Sequence, residues 1–376
     1  MLSPVRIVGR GVVNLSAAGG PRAVATFPSI TPLPDGDLLA TYRIGSTKDS
    51  DDETIELRRS RDEGRSWSDA VQPFSSTLSG RCGSLKVAYV TQLEGAHLVA
   101  AALWVDRGTF PGKPLFNEET EGCLPMEILL AESEDTGRTW TPWRVVPMAQ
   151  EIGPPSLTNP LLKLPDGRWI LSIESNKNYL DTSGWLQRVV YLYSEDSGHS
   201  WSAPVTVSQD PAGRIFNWDQ RAGVAADGRL VTFSWTYDRE TGAYLNIHRR
   251  LSVDEGATWT QAEDLGFADQ ASHPAVLPDG RIVLAWVDRF QSRSIRARSA
   301  SAIGAPFEPT SEVVLYEHAS ADRRTQTPDT GEMLAEMNLW SFGLPFAEAL
   351  PSGDVLVVYY AGSLSCMSVY WARLSL

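Results

Sequence analysis

The chain has 376 residues, room for one large all-β domain or two ordinary ones. Its 33 Lys+Arg against 46 Asp+Glu give a formal net charge of −13, which argues against nucleic acid and anionic membrane surfaces as partners. Cys82, Cys123 and Cys366 are scattered with no C-x-x-C pair, so neither a disulfide framework nor a zinc site is suggested, and no apolar run is long enough to span a bilayer.

The N-terminal stretch MLSPVRIVGRGVVNL has no continuous apolar core and reads as mature protein, which gives the expectation of a cytoplasmic chain. From there one unit recurs: an apolar strand, a Pro-Asp-Gly-like corner, and a more apolar strand. It occurs at 30–42, 89–104, 160–173, 222–235, 274–286 and 347–360. Each Asp-Gly or Ser-Gly corner is a tight-hairpin signal. Five of the six hairpins lead through a third strand (TIELRRS, MEILLAES, RVVYLYS, YLNIHRRLS, SIRARSAS) into a fourth. Between third and fourth strands lies the pattern S-x-D-x-G-x-S/T-W, at 60–67, 133–140, 194–201 and 252–259. Asp in a tight turn accepts bonds from backbone N–H groups just ahead of it, Gly supplies positive φ, and Trp is a large plate that must be covered. The fifth unit keeps only a Gly and an aromatic, in Ala302-Ile303-Gly304-Ala305-Pro306-Phe307.

Six units of four short strands predict an all-β, six-bladed β-propeller spanning 1–376 as one domain, with VRIVGRGVVNL closing the last blade. Two insertions, 105–125 and roughly 317–339, exceed ordinary turns and are candidate lids.

In such a ring the innermost strands line a channel, so polar residues at their ends mark the site. Asn159, Trp218, Asp219, Arg221, His273 and Trp340 lie at those starts, and Arg43 and Glu174 at second-strand exits. W-V-D-R occurs at 104–107 and 286–289; repeated in two blades, it reads as architectural ion pairing. Asp49 sits in the acidic loop 48–53, either a solvated charge run or a loop carboxylate suited to general acid work. Glu174 is a functional carboxylate or an ion-pair partner of Lys177 or Arg188, the latter also a candidate substrate contact. Asp219 and Arg221 are a structural pair or substrate contacts; His273 is a rim base or a hydrogen-bonded core histidine. Trp218 and Trp340 would stack on a sugar face. The turns lack the extra acidic ligands of a calcium loop, so no metal and no cofactor are expected.

The four turns resemble the Asp-box (BNR) repeats of the sialidase superfamily, over essentially the whole chain and most closely over 27–67. The resemblance implies an acid/base Asp at Asp49, nine residues before Arg58, and a post-hairpin Arg at Arg43. It puts the first carboxylate-binding Arg near Thr26, the polarising Glu near Thr158, the second Arg near Glu174 and the nucleophilic Tyr near Leu344; only the third Arg has an heir, Arg293. The implied protein is a divergent member lacking most of the catalytic set. Because glycosidases ordinarily use two carboxylates, the expectation is a glycoside hydrolase on a carbohydrate, more a neutral or uronic sugar than sialic acid. Asp49 is its acid/base, and Glu174 or Asp219 its second carboxylate. The alternatives are a non-catalytic carbohydrate- or protein-binding propeller, and a uronic-acid lyase with His273 as base.

Overall fold

The computed structural model describes residues 4–319 and 329–376. Positions 320–328, inside the second expected insertion, lie outside the described residues, as do positions 1–3. The architecture is a β-propeller of antiparallel, mostly four-stranded ladders. Its six inner hairpins follow the six predicted corners, from Val24–Pro32 with Leu38–Gly45 to Phe342–Ala349 with Val355–Ser363. Corner glycines such as Gly36 (φ 86°) and Gly280 (φ 88°) hold the left-handed conformation the turns need. In the third and fifth units the inner strand is split, into Ser156–Leu157 with Leu162–Lys163 and Gln270–Ala271 with Ala275–Val276. Pro160 and Pro274 fall at the gaps, where a residue without an N–H cannot continue the ladder.

Among the described residues the ladders form five hydrogen-bonded sheets rather than six separate ones. The largest has seven strands. It joins the last ladder (Phe342–Ala349, Val355–Ser363, Cys366–Ser375 and the N-terminal Arg6–Asn14) to the first (Val24–Pro32, Leu38–Gly45, Thr54–Ser60). The joint is a single parallel pairing, Val24 with Met367. As expected, the N-terminal strand completes the last ladder, running antiparallel to Cys366–Ser375. Among the described residues no helix is long and apolar enough to cross a membrane.

The repeated turns staple adjacent ladders. In the first, the Ser60 hydroxyl donates to Asp62 (2.8 Å) and accepts the Gly64 N–H (2.8 Å), while Asp62 accepts the Ser66 N–H (2.8 Å) and hydroxyl (2.6 Å). The other three copies repeat these bonds. Each turn is then gripped by a side chain of the preceding ladder. Arg59 donates to the Thr136 carbonyl, Arg144 to that of Gly198, and Tyr193 to that of Glu255 (2.9 Å). Arg373 pairs with Glu63 (2.6 Å), and Arg249 grips Ile303 and Ala305 of the degraded fifth copy. The ring is thus held by polar staples outside as well as by apolar cores between sheets. Ser60 is 1% exposed, so Ser60→Ala strands the Gly64 N–H; we expect a loss of about 1–2 kcal/mol in urea unfolding at unchanged m.

Inner strands carry the feature that positions the site. Register shifts break four of them, at 26–29, 85–87, 218–221 and 343–346. Phe27, Asp219 and Leu344 take φ of 51°, 44° and 43° there. A bulge re-aims a side chain. Phe27, Lys86, Asp219 and Leu344 all line one cavity.

Candidate functional site

That cavity, of about 180 Å³, has an aromatic wall and a polar floor. Trp218 and Trp235 face each other across one hairpin, with Trp185 and Trp340 beside them. Phe116 of the first insertion and Leu334 and Met337 of the second complete the roof. The floor holds Thr158, Glu174, Asp219, Gln270, Arg43 and Arg289.

Glu174 ends the strand Trp169–Glu174 and is 5% exposed. One carboxyl oxygen accepts the Gln220 N–H at 2.8 Å. Burial, reinforced by the charge of Asp219, pushes its pKa up to about 8. Neither expected ion-pair partner reaches it: Lys177 donates to the Thr120 carbonyl (2.6 Å) and Arg188 to that of Glu151 (3.4 Å). Arg188 does not line the cavity, which corrects its reading as a substrate contact.

Asp219 pairs with Arg221 (2.7 Å) and accepts a bond from the Gln270 amide (2.7 Å). Arg221 is itself buried, bonded to the Tyr89 hydroxyl (2.9 Å) and the Thr158 carbonyl. Asp219 therefore faces the cavity from a fixed seat, whereas Arg221 supports it from behind and is not a cavity residue.

Asp49 belongs to a different group. One oxygen binds Lys86 (2.6 Å) and Arg107 (2.6 Å), and the other accepts the Leu115 N–H (2.9 Å). Glu53 shares Lys86 (2.9 Å) and approaches Arg43 (3.4 Å) and Arg107 (3.5 Å). Burial alone would raise the Asp49 pKa; the two cations outweigh it and hold the carboxyl well below the usual range. In this arrangement Asp49 is held as a carboxylate by its two cations, and it does not line the central cavity. It borders a neighbouring cavity that shares Lys48 and Asn338 with the central one.

The remaining candidates divide. Arg43, 1% exposed, lines the cavity, donates to the Thr26 hydroxyl (3.0 Å) and lies over the Phe27 ring (4.4 Å). Trp218 and Trp340 line it as expected, and Trp340 also borders a second cavity that contains Arg293. Arg293, the heir to the third Arg, is not in the central cavity. His273 and Asn159 are corrected to structural roles. Their side chains bond to each other (3.1 Å), Asn159 accepts the Ala222 N–H (2.9 Å), and His273 stacks on Phe346 (4.5 Å). Burial lowers the His273 pKa to about 3, and it borders a separate cavity, so it is not a base for this site.

Sequence reasoning missed Lys86, Glu53, Trp185, Trp235 and Arg289. Lys86 had a signal, being the one charge in the strand GSLKVAYVTQ. The W-V-D-R repeat misled for Arg289. Its Asp288 does stay architectural, accepting the Gln291 and Ser292 N–H groups (3.0 Å each), but Arg289 turns onto the Trp340 face (4.2 Å) and lines the cavity. Among the described residues, the His/Cys/Asp/Glu grouping close enough to share an ion is His97, Glu132 and Glu134, none of which lines the cavity.

No curated protein matches the chain in sequence. Solved structures do match it in fold. A protein of unknown function from Dyadobacter fermentans superposes with a TM-score of 0.76 at 20% identity, covering 100% of both chains. The intramolecular trans-sialidase from Ruminococcus gnavus gives 0.65 at 12%, covering 98% of each. An α-L-arabinanase from Penicillium chrysogenum gives 0.65 at 16%, covering 97% of this chain and 98% of that one. At such identities the likeness is one of fold, that of the sialidase-like propellers. The family model described as a BNR repeat-like domain matches residues 116–339, and this chain belongs to that family.

Proposed function

We propose that the chain is a glycoside hydrolase, with Glu174 the proton donor and Asp219 the second carboxylate. The observation that carries this is the pairing of a buried Glu174, its pKa raised to about 8, with a neighbouring ion-paired Asp219 in one aromatic-walled cavity. A buried carboxyl that holds its proton, beside a carboxylate salt-bridged to Arg221, offers an acid and a second carboxylate. The four tryptophans supply flat apolar faces for a sugar ring. The arabinanase was solved with arabinobiose, so a propeller of this fold can hold a sugar that is not a sialic acid. We read the seven-stranded sheet as two blades meeting at the ring closure, six in all. We also read the chain as a divergent relative of the sialidases. Thr26, Glu174 and Leu344 stand where the resemblance puts two arginines and the nucleophilic Tyr, and the apolar Leu344 lines the cavity.

The test is a panel of aryl glycosides, neutral, uronic and sialic, offered to the wild type, Glu174→Gln and Asp219→Asn. We expect a neutral or uronic glycoside to be cleaved and each variant to lose at least about 100-fold in kcat/KM on it. Cleavage of the sialoside alone, or unchanged turnover in both variants, overturns the assignment. A wild type that binds sugars and cleaves none overturns it in favour of a binding propeller.

A further inference from the structure

Lys48 and Asp49 are adjacent in one rim loop, yet each is committed to a different insertion. The Lys48 ammonium donates to the carbonyls of Met337 (2.6 Å) and Trp340 (2.7 Å). These lie at the C-terminal end of the helix Thr330–Glu336 and the turn Met337–Leu339, where a cation is favoured; the Met337 carbonyl also accepts the Trp340 N–H (3.4 Å). The Asp49 carboxylate accepts the Leu115 N–H (2.9 Å) of the first insertion while Lys86 and Arg107 fix its other oxygen. The loop is pinned in turn to the cavity floor, because Arg43 donates to the Lys48 carbonyl (2.9 Å). The two insertions also meet directly: a Cβ on Gly331 would sit 2.0 Å from the Glu118 carbonyl oxygen, so only glycine permits that approach. Leu115 and Phe116 from one insertion, Leu334 and Met337 from the other, and Trp340 just after it roof the cavity.

We propose that Lys48 and Asp49 act together as a clasp that holds both insertions over the cavity, so that Asp49 is a positioning residue for the roof and not a proton donor. This rests on the reading of the cavity as the substrate site, but the clasp itself has a readout independent of turnover. A two-sided clasp makes a specific prediction, since each residue secures a different segment.

Hydrogen exchange of the full chain, followed by mass spectrometry, tests it with Lys48→Met and Asp49→Ala. Lys48→Met should speed exchange across 330–340 about tenfold and leave 112–118 near wild type. Asp49→Ala should speed 112–118 by a similar factor. Gly331→Ala, which pushes the insertions apart without touching the loop, should loosen both. Wild-type exchange in all three overturns the clasp. On a cleaved glycoside, Asp49→Ala should raise KM and keep the shape of the pH profile. A collapse of kcat with loss of one limb of the profile, at unchanged exchange, overturns the positioning role and restores Asp49 as a proton donor. Should Asp49→Ala fail to fold, Asp49→Asn, which keeps an acceptor for Leu115 but no ionisable carboxyl, should leave 112–118 near wild type and keep the shape of the pH profile; loss of one limb of the profile at that exchange overturns the positioning role. If no glycoside is cleaved, the functional reading fails by itself and the exchange result still decides the clasp.

Discussion

Glu174→Gln should remove the alkaline limb of the pH–rate profile. A general acid works in its protonated form. With its pKa near 8, Glu174 keeps its proton through neutrality, so wild-type turnover should hold to about pH 7 and fall as pH rises through 8. Glutamine fills the same space and retains an oxygen for the Gln220 N–H, but it cannot deliver a proton. On a glycoside with a poor leaving group the loss should reach about 10²–10⁴-fold. On a dinitrophenyl glycoside, whose leaving group needs no proton, the loss should be much smaller. A uniform loss across leaving groups, or an alkaline limb that survives the substitution, rejects Glu174 as the donor. Stability has its own signature. The folded pKa lies above the ordinary 4.5, so the native state binds more protons than the unfolded chain between those values. The contribution is complete below about pH 4.5 and is lost as pH rises through 8, on the order of a few kcal/mol in all. Glu174→Gln should flatten that slope and be the more stable protein at pH 9.

The fold was legible because its signals are local and repeated. An Asp-Gly corner needs only its own few residues, and Ser60, Asp62, Gly64 and Ser66 make their bonds within one turn. Six copies reinforce each other, and even the N-terminal strand was found by asking what completes the sixth. The merging of first and last ladders was not legible, since it depends on one pairing between Val24 and Met367 at opposite ends of the chain. The site was partly legible. Glu174 and Asp219 stood out as carboxylates at strand ends facing the channel, and both line the cavity. Their difference in character was only half legible: Arg221, the partner of Asp219, stands two residues along the same strand, but the burial of Glu174 and the Gln270 amide from another strand had no local signal. Asp49 shows the reverse case. Its position along the chain was informative, but its chemistry is dictated by Lys86 and Arg107, both from the second ladder. Spacing locates a side chain; only packing tells what surrounds it.

The largest expected stability effect falls on Lys86. It is 6% exposed, and its ammonium sits between Asp49 (2.6 Å) and Glu53 (2.9 and 3.1 Å). Burial lowers its pKa, opposed by the two carboxylates, so the charge exists by virtue of its partners. Lys86→Met keeps the apolar stem and deletes the charge. Glu53, with no side-chain exposure, would then keep only Arg43 at 3.4 Å and Arg107 at 3.5 Å. Removing one partner of a buried ionic group typically costs about 3–5 kcal/mol, because the other is left uncompensated. Urea unfolding should show a loss of that order. Lys86→Met combined with Glu53→Gln should recover part of it, since the stranded charge goes with the cation, and the double-mutant cycle measures the coupling directly. Acid sensitivity should change in step. Asp49 is held below its ordinary 3.8 chiefly by Lys86, so its contribution is present above that value and lost as pH falls further. Lys86→Met should therefore be less stable at neutrality and lose less on acidification. A loss under 1 kcal/mol, with no coupling to Glu53, would mean that the cluster is solvated in solution. The low proton affinity of Asp49 would then go with it.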